Sequence, residues 1–167
     1  RINDSSCKVL VTADETRRSG KRIALKKISD KALEHTPSIT HCLVIRHGNE
    51  KTPMQKGRDL WLDEVLPLAS KECVPEVMSA EDPLFILYTS GSTGKPKGVV
   101  HTTGGYLLHT HLTFKYLFDI RADDIFWCSA DIGWITGHSY LTYGPLSNAC
   151  TSLVFEGVPT YPDPGQF

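Results

Sequence analysis

Short apolar runs alternate with polar, turn-forming stretches along most of this chain. Cys7–Ala13 reads as a buried strand. Asp14–Arg22 follows as a polar loop with a basic tip, and Ile23–Ile28 as a short strand. Ser29 and Asp30 are cap residues for a helix to about His35, which Pro37 ends. His41–Arg46 is strand-like again, and the order strand, helix, strand predicts a parallel α/β layer. His47–Lys56 is polar and reads as a surface loop. Leu60, Trp61, Val65, Leu66 and Leu68 give Asp59–Ser70 a helical pattern despite Pro67. Lys71–Pro83 holds two prolines and several acids, which predicts a connector and a subdomain junction.

The second half repeats the alternation. Leu84–Tyr88 is a strand, and Val99-Val100 begins another after a glycine-bearing break at 89–98. Thr102 or Thr103 is placed to cap a helix from about Gly104 to Phe118, with Leu108, Leu112 and Tyr116 on one stripe. Ile125–Ser129 is a strand, Ala130–Ser139 a second glycine-bearing break, and Ser139–Asn148 a helix that Pro145 kinks or stops. Cys150–Phe155 is a strand ending at Glu156-Gly157. Both breaks follow strands directly, which predicts a shared ligand crevice at the strand ends of an open α/β sheet.

The first break carries the chemistry. Tyr88-Thr89-Ser90-Gly91-Ser92-Thr93-Gly94-Lys95-Pro96-Lys97-Gly98-Val99 packs glycines, hydroxyls and lysines between two apolar strands. Glycine lets a backbone take positive φ and approach an anion. Successive N–H groups then form an anion nest, hydroxyls donate to phosphate oxygens, and lysines add charge. The loop is not a Walker A loop, because Gly94-Lys95 is followed by Pro96 and then by a strand rather than by a helix. On these residues alone, a plain Gly/Ser surface turn stays open beside a phosphate loop.

Composition narrows the class. The chain has 167 residues, 18 Lys+Arg against 19 Asp+Glu, and is 40% hydrophobic, so it reads as globular with no nucleic-acid-binding face. Arg17–Lys27 is a local basic cluster rather than a global field. No run approaches ~18 apolar residues, so no transmembrane helix is expected. The cysteines Cys7, Cys42, Cys73, Cys128 and Cys150 lack metal-ligand or redox spacing and suit buried, reduced thiols of a cytoplasmic protein. The start at Arg1 without Met and the stop at Phe167 suggest an incomplete protein, which leaves an upstream targeting segment open. Oligomeric state has no signature here.

The 88–99 stretch resembles the phosphate-loop signature of the adenylate-forming, AMP-binding enzymes. Asp131-Ile132-Gly133-Trp134-Ile135-Thr136-Gly137-His138-Ser139-Tyr140 resembles the acetyl-CoA synthetases within that superfamily. Tyr143-Gly144-Pro145-Leu146, Phe155–Pro162, Ala80–Phe85, Gly57–Trp61 and Arg1-Ile2 with Asp4-Ser5 extend the resemblance from Arg1 to about Pro162. It implies an α/β fold, as an incomplete part (1–167) of the large N-terminal domain, with mostly parallel sheets and flanking helices. It also implies site residues. Thr89, Ser90, Gly91, Ser92, Thr93, Gly94, Lys95, Lys97 and Gly98 would hold ATP phosphates. Trp134, Ile135 and Thr136 would line the acyl pocket. Arg18, Ser19, Gly20, Lys21, Thr136 and Thr160 would bind CoA. Thr160 stands where a bacterial relative typically carries Asn, and it has a shorter reach without the amide. The resemblance assigns no catalytic residue and no metal ligand within 1–167.

The implied reaction is an acetate–CoA ligation in two half-reactions. Acetate attacks the α-phosphate of ATP to give acetyl-adenylate and pyrophosphate, and the CoA thiol then displaces AMP. Mg2+ would bridge the phosphates. The implied partners are the small molecules acetate, ATP and CoA, with no nucleic acid and no membrane. The family's adenine and ribose motifs, its main Mg2+ carboxylate and its C-terminal lysine all lie downstream of these residues, so the 167-residue chain alone is expected to be inactive. A propionyl- or other short-chain acyl-CoA synthetase and a non-catalytic nucleotide-binding module are the alternatives. A kinase-like phosphate-loop protein is disfavoured by the Walker A mismatch.

Overall fold

A computed structural model describes residues 1–48, 51–90 and 94–166. It is an α/β structure with parallel sheets and few helices. The chain forms two compact units, Arg1–Val74 with Gly157–Phe167, and Pro75–Glu156.

The first unit is built on a parallel sheet of β1 (Val9–Ala13), β4 (His41–Ile45) and β5 (Asp59–Trp61), in the order β1-β4-β5. Between β1 and β4 come a hairpin, β2 (Thr16–Arg18) and β3 (Lys21–Ile23), and a helix, α1 (Leu25–Leu33). Leu33, Cys42 and Val44 form the core, with Leu10, Ile39, Met54 and Trp61 packed on it. Burial pushes the Cys42 thiol up from its ordinary value, and the nearby Asp59 charge adds to the effect.

Three expectations are corrected here. Asp14–Arg22 is not all loop, because its basic part folds as the β2–β3 hairpin. Ile23–Ile28 is not a strand: the strand ends at Ile23 and α1 starts at Leu25, ahead of Ser29 and Asp30. The reason is a polar inner face. Lys26 is 1% exposed while Ile28 is 60% exposed, the reverse of what hydropathy suggests. Lys26 Nζ bonds Asp30 one turn on at 2.6 Å and Asp59 at 2.8 Å. Arg58 closes the group, 2.7 Å from Asp30 and 2.6 Å from Asp59. The same group explains the third correction. Asp59–Ser70 is not one helix, because Asp59, Leu60 and Trp61 pair with Cys42, Leu43 and Val44 and draw the Asp59 carboxylate inside. Only Leu62–Val65 is α-helical (α2), and Pro67 then sits in a 3-10 turn, Leu66–Leu68.

In the second unit β6 (Pro83–Thr89) and β7 (Lys97–Thr102) pair antiparallel, and β8 (Ile125–Trp127) and β9 (Thr151–Leu153) pair parallel. The long helix is α3 (Thr103–Leu117). Its buried face is Tyr106, Thr110 and Phe114, whereas Leu108 and Tyr116 are 60% and 70% exposed. The expected stripe is therefore the outer one. Both stripes have a spacing of four, and aromatic packing selects the inner. Phe114 meets Phe126 at 4.7 Å between ring centroids, and Tyr106 meets Phe85 at 4.9 Å. No side chain caps α3. Its first N–H groups bond backbone carbonyls instead, Thr103 to Asp82 at 2.8 Å and Gly104 to Ala80 at 2.9 Å.

The second break is also shorter than expected. A helical run starts at Ile135 with α4 (Ile135–Gly137), widens into a π turn at His138–Tyr143, and continues as α5 (Gly144–Ser147). Pro145 does not stop this run: it lies inside it, just after the wide turn, and the Leu141 carbonyl one turn back, which Pro145 cannot serve, accepts the Ser152 hydroxyl at 3.0 Å instead. No helix among the described residues is long and apolar enough to cross a membrane.

Candidate functional site

Two groups of candidate residues lie in the second unit. Thr89 closes β6 opposite Lys97 at the start of β7, so the phosphate-loop sequence is the turn of an antiparallel hairpin. Gly91, Ser92 and Thr93 lie outside the described residues. Gly94 has φ +83°, the conformation for which glycine suits the loop, and Ser90, Lys95, Lys97 and Gly98 are exposed around it.

The second group begins at β8. Asp131 turns the chain by accepting the Gly133 N–H on its carboxylate at 2.9 Å and the Trp134 N–H on its carbonyl at 3.0 Å. Gly137 permits the tight closure. A Cβ there would run into the backbone of Asp131 and Ile132, so no side chain fits. His138 anchors the next turn. Its Nδ1 lies 3.1 Å from the Trp134 carbonyl, which only accepts, so Nδ1 carries the proton.

The structure joins this group to the stem of the hairpin. Phe85 of β6 meets His101 of β7 at 4.8 Å and His138 at 5.5 Å between ring centroids. Tyr106 stands edge-on to Phe85 and to Tyr143, and its hydroxyl is 2.9 Å from Ser139 Oγ. Burial pushes the Tyr106 phenol above its ordinary value, against the opposing effect of that hydrogen bond. Beside this cluster is a pocket of about 360 Å3 lined by Val100, His101, Tyr106, His109, Ile135 and Ser139 among others. Of the expected acyl-pocket residues, Ile135 lines it, whereas Trp134 and Thr136 do not. Trp134 is 69% exposed. His101 is four residues along β7 from Lys97, roughly 13 Å at strand spacing, so the pocket lies at the stem and the phosphate loop at the tip.

The remaining candidates lie in the first unit. Arg18 and Lys21 face each other across the β2–β3 register, and Ser19 (φ 48°) and Gly20 (φ 72°) form the turn between them. Two consecutive left-handed residues match the twist of a two-residue hairpin. Tyr161 packs on this tip: a Cβ on Gly20 would collide with its hydroxyl and ring. Thr160, the neighbour of Tyr161, is exposed. Thr136 belongs to the other unit.

Sequence reasoning missed the supports beneath this hairpin. Glu15 is 6% exposed and pairs with Arg22 of β3. Asp14 accepts the backbone N–H groups of Glu15, His47 and Gly48 at 2.6, 2.9 and 3.1 Å. Burial alone would raise the Asp14 carboxyl, and those donors outweigh it and hold it below its ordinary range. The signal available was two acids immediately ahead of a basic turn. Tyr161 had no local signal.

The whole chain, residues 1–167, matches the family described as AMP-binding enzyme. It is 56% identical over 167 residues to the acetyl-coenzyme A synthetase of Bdellovibrio bacteriovorus, covering all of this chain and 26% of that protein. It is 58% identical to acetyl-coenzyme A synthetase 2 of Pseudomonas putida over the same 167 residues, again 26% of that protein. With the acetyl-coenzyme A synthetase of Rubrobacter xylanophilus it shares 58% over 162 residues, 97% of this chain and 25% of that protein. The chain thus spans about a quarter of the length of these curated relatives. Its glycine- and lysine-bearing hairpin turn and its Asp131–Tyr140 turn fall inside a match that leaves no residue out, and the chain belongs to the AMP-binding enzyme family.

Proposed function

We propose that this chain is part of a cytoplasmic acetate–CoA ligase that activates acetate with ATP and passes the acetyl group to CoA. The observation that carries the reading is the hairpin Pro83–Thr102. Its turn presents Gly94, Lys95 and Lys97 to solvent, and its stem holds Ile135 in a pocket. The names of the relatives support the substrate choice, and free thiols at all five cysteines support the compartment.

In the first half-reaction a carboxylate oxygen of acetate bonds the α-phosphorus of ATP, and the bond to pyrophosphate breaks. Two anions meet, so positioning and charge neutralisation are the main demands. Lys95 and Lys97 spread the charge of the departing β- and γ-phosphates, with the hydroxyls of Thr89 and Ser90 as donors. The Ser92 and Thr93 hydroxyls and the N–H of Gly91, with Gly94 and Gly98, complete the phosphate cradle in this reading. In the second half-reaction the CoA sulfur bonds the acetyl carbon and AMP leaves. In this reading Ile135, Trp134 and Thr136 bound the acyl group, Ile135 from the pocket and Trp134 and Thr136 from outside it, with Thr136 next to the thiol. Arg18, Ser19, Gly20, Lys21 and Thr160 take the phosphorylated nucleotide end of CoA.

Mg2+ is the metal this chemistry implies. Among the described residues no group of three His, Cys, Asp or Glu side chains stands ready for a metal ion, so Mg2+ would come to this site chiefly on the ATP phosphates. The charge these residues bring to the phosphates is that of the lysines.

The test is acetate-dependent ATP–pyrophosphate exchange by a protein of the relatives' full length that carries this chain, run against a panel of carboxylates. Exchange with acetate, followed by acetyl-CoA on adding CoA, is the expected result. A clear preference for propionate would move the substrate to the next homologue. No exchange with any carboxylate would overturn the reading.

A further inference from the structure

CoA binding at the Arg18–Lys21 turn, as proposed above, depends on the backbone shape of that turn. Ser19 sits at φ 48°, and a non-glycine residue in the left-handed region costs roughly 1–2 kcal/mol. Arg18 and Lys21 stand directly across from each other, an arrangement of like charges that opposes pairing. Arg17 and Arg22 repeat it one step down, where Glu15 meets the charge of Arg22. At the base of the hairpin Glu15 offsets the charge of Arg22, and at the tip Tyr161 packs on the turn.

The tip of the Tyr161 side chain occupies the space where a Cβ of Gly20 would project, with the ring carbon Cζ 2.9 Å from that position. Gly20 also has φ 72°, so both its conformation and its lack of a side chain are in use. The backbone that carries the ring is held locally, since the Tyr161 N–H bonds the Val158 carbonyl at 3.1 Å. Tyr161 is 45% exposed, so its ring rests on the turn without being buried beneath it.

We infer that Tyr161 is a positioning residue for CoA recognition: its ring braces the left-handed Ser19-Gly20 turn and so sets the spacing of Arg18 and Lys21 for a phosphate dianion. The inference rests on the proposed CoA role of the hairpin.

The experiment measures CoA and 3′-dephospho-CoA kinetics in the full-length enzyme. Tyr161→Ala should raise the KM for CoA roughly tenfold, about the loss of one charge-assisted hydrogen bond, with kcat at saturating CoA retained. It should raise the KM for 3′-dephospho-CoA far less, so discrimination between the two falls. Tyr161→Phe keeps the ring and should restore both values. Arg18→Ala is run beside them. If Arg18→Ala raises the KM for CoA and Tyr161→Ala does not, the bracing role is overturned while the CoA reading stands. If neither variant changes it, the CoA reading itself fails. Thermal unfolding separates a misfolded Tyr161→Ala protein from a competent one, and in that case failure of Tyr161→Phe to keep the discrimination overturns the inference.

Discussion

Asp59 concentrates the charge of the first unit. Its carboxylate is buried, takes Lys26 and Arg58, and accepts the Gln55 N–H at 2.8 Å. Burial would raise its pKa, but the Arg58 and Lys26 hydrogen bonds prevail and lower it to about 2. A carboxyl depressed in the fold stabilises it fully above its ordinary 3.8 and loses that contribution as pH falls through about 2. Stability of the 167-residue chain should therefore fall between about pH 4 and pH 2, read by denaturant unfolding at each pH, with a shallower fall in Asp59→Asn. At neutral pH the same variant should cost about 3 kcal/mol, because it leaves Lys26 buried with less compensation. A neutral-pH loss below about 0.5 kcal/mol would show that the network is not maintained in solution. At the phosphate loop, the proposed function predicts that Lys97→Ala in the full-length protein slows pyrophosphate exchange roughly 10–100-fold, with little change in the KM for CoA.

α3 shows what an element inherits from its neighbours. Two stripes of equal period run along it, and aromatic contacts with β6 and β8 choose Tyr106, Thr110 and Phe114. Phe114→Ala should cost about 3 kcal/mol in the isolated chain and Leu108→Ala under about 1, compared by chemical denaturation. Reversed costs would mean that the helix is rotated from the orientation described. The Asp131–Gly137 turn has a comparable single weak point. Gly137→Ala places a methyl against backbone that has no rotamer to change, so local collapse of the α4 start is expected. The measurement is amide exchange at His138, which should lose protection.

The whole molecule separates its candidate chemistry between units. The phosphate loop and Ile135 belong to Pro75–Glu156, and the Arg18–Lys21 turn with Tyr161 belongs to the other unit. On the proposed function, Lys97→Ala in the full-length protein should thus impair adenylation, and Arg18→Ala should raise the KM for CoA. Equal effects of both variants on both half-reactions would refute that division. The 167-residue chain by itself should give no acetate-dependent exchange, because it spans only about a quarter of its relatives' length. Robust exchange from it would show that the chain is self-sufficient.

Much of this protein was legible in its residues alone. Local chemistry is enough for a glycine-rich break between two apolar runs, for a helix after Thr102, and for the strands around Leu10, Val44 and Phe126, because turns and strands depend on neighbours in sequence. The length of the 88–99 and 131–140 motifs was enough for the family. Tertiary structure alone decided which sides face inward. Lys26 is buried and Ile28 exposed because Asp59 stands across the fold, and Asp59 is a strand residue because it meets Lys26 and β4. It also decided that Tyr161, far along the chain, packs on the turn at Gly20. Hydropathy and spacing describe one segment at a time, whereas burial of a charge or bracing of a strained turn is set by a partner that only folding brings near.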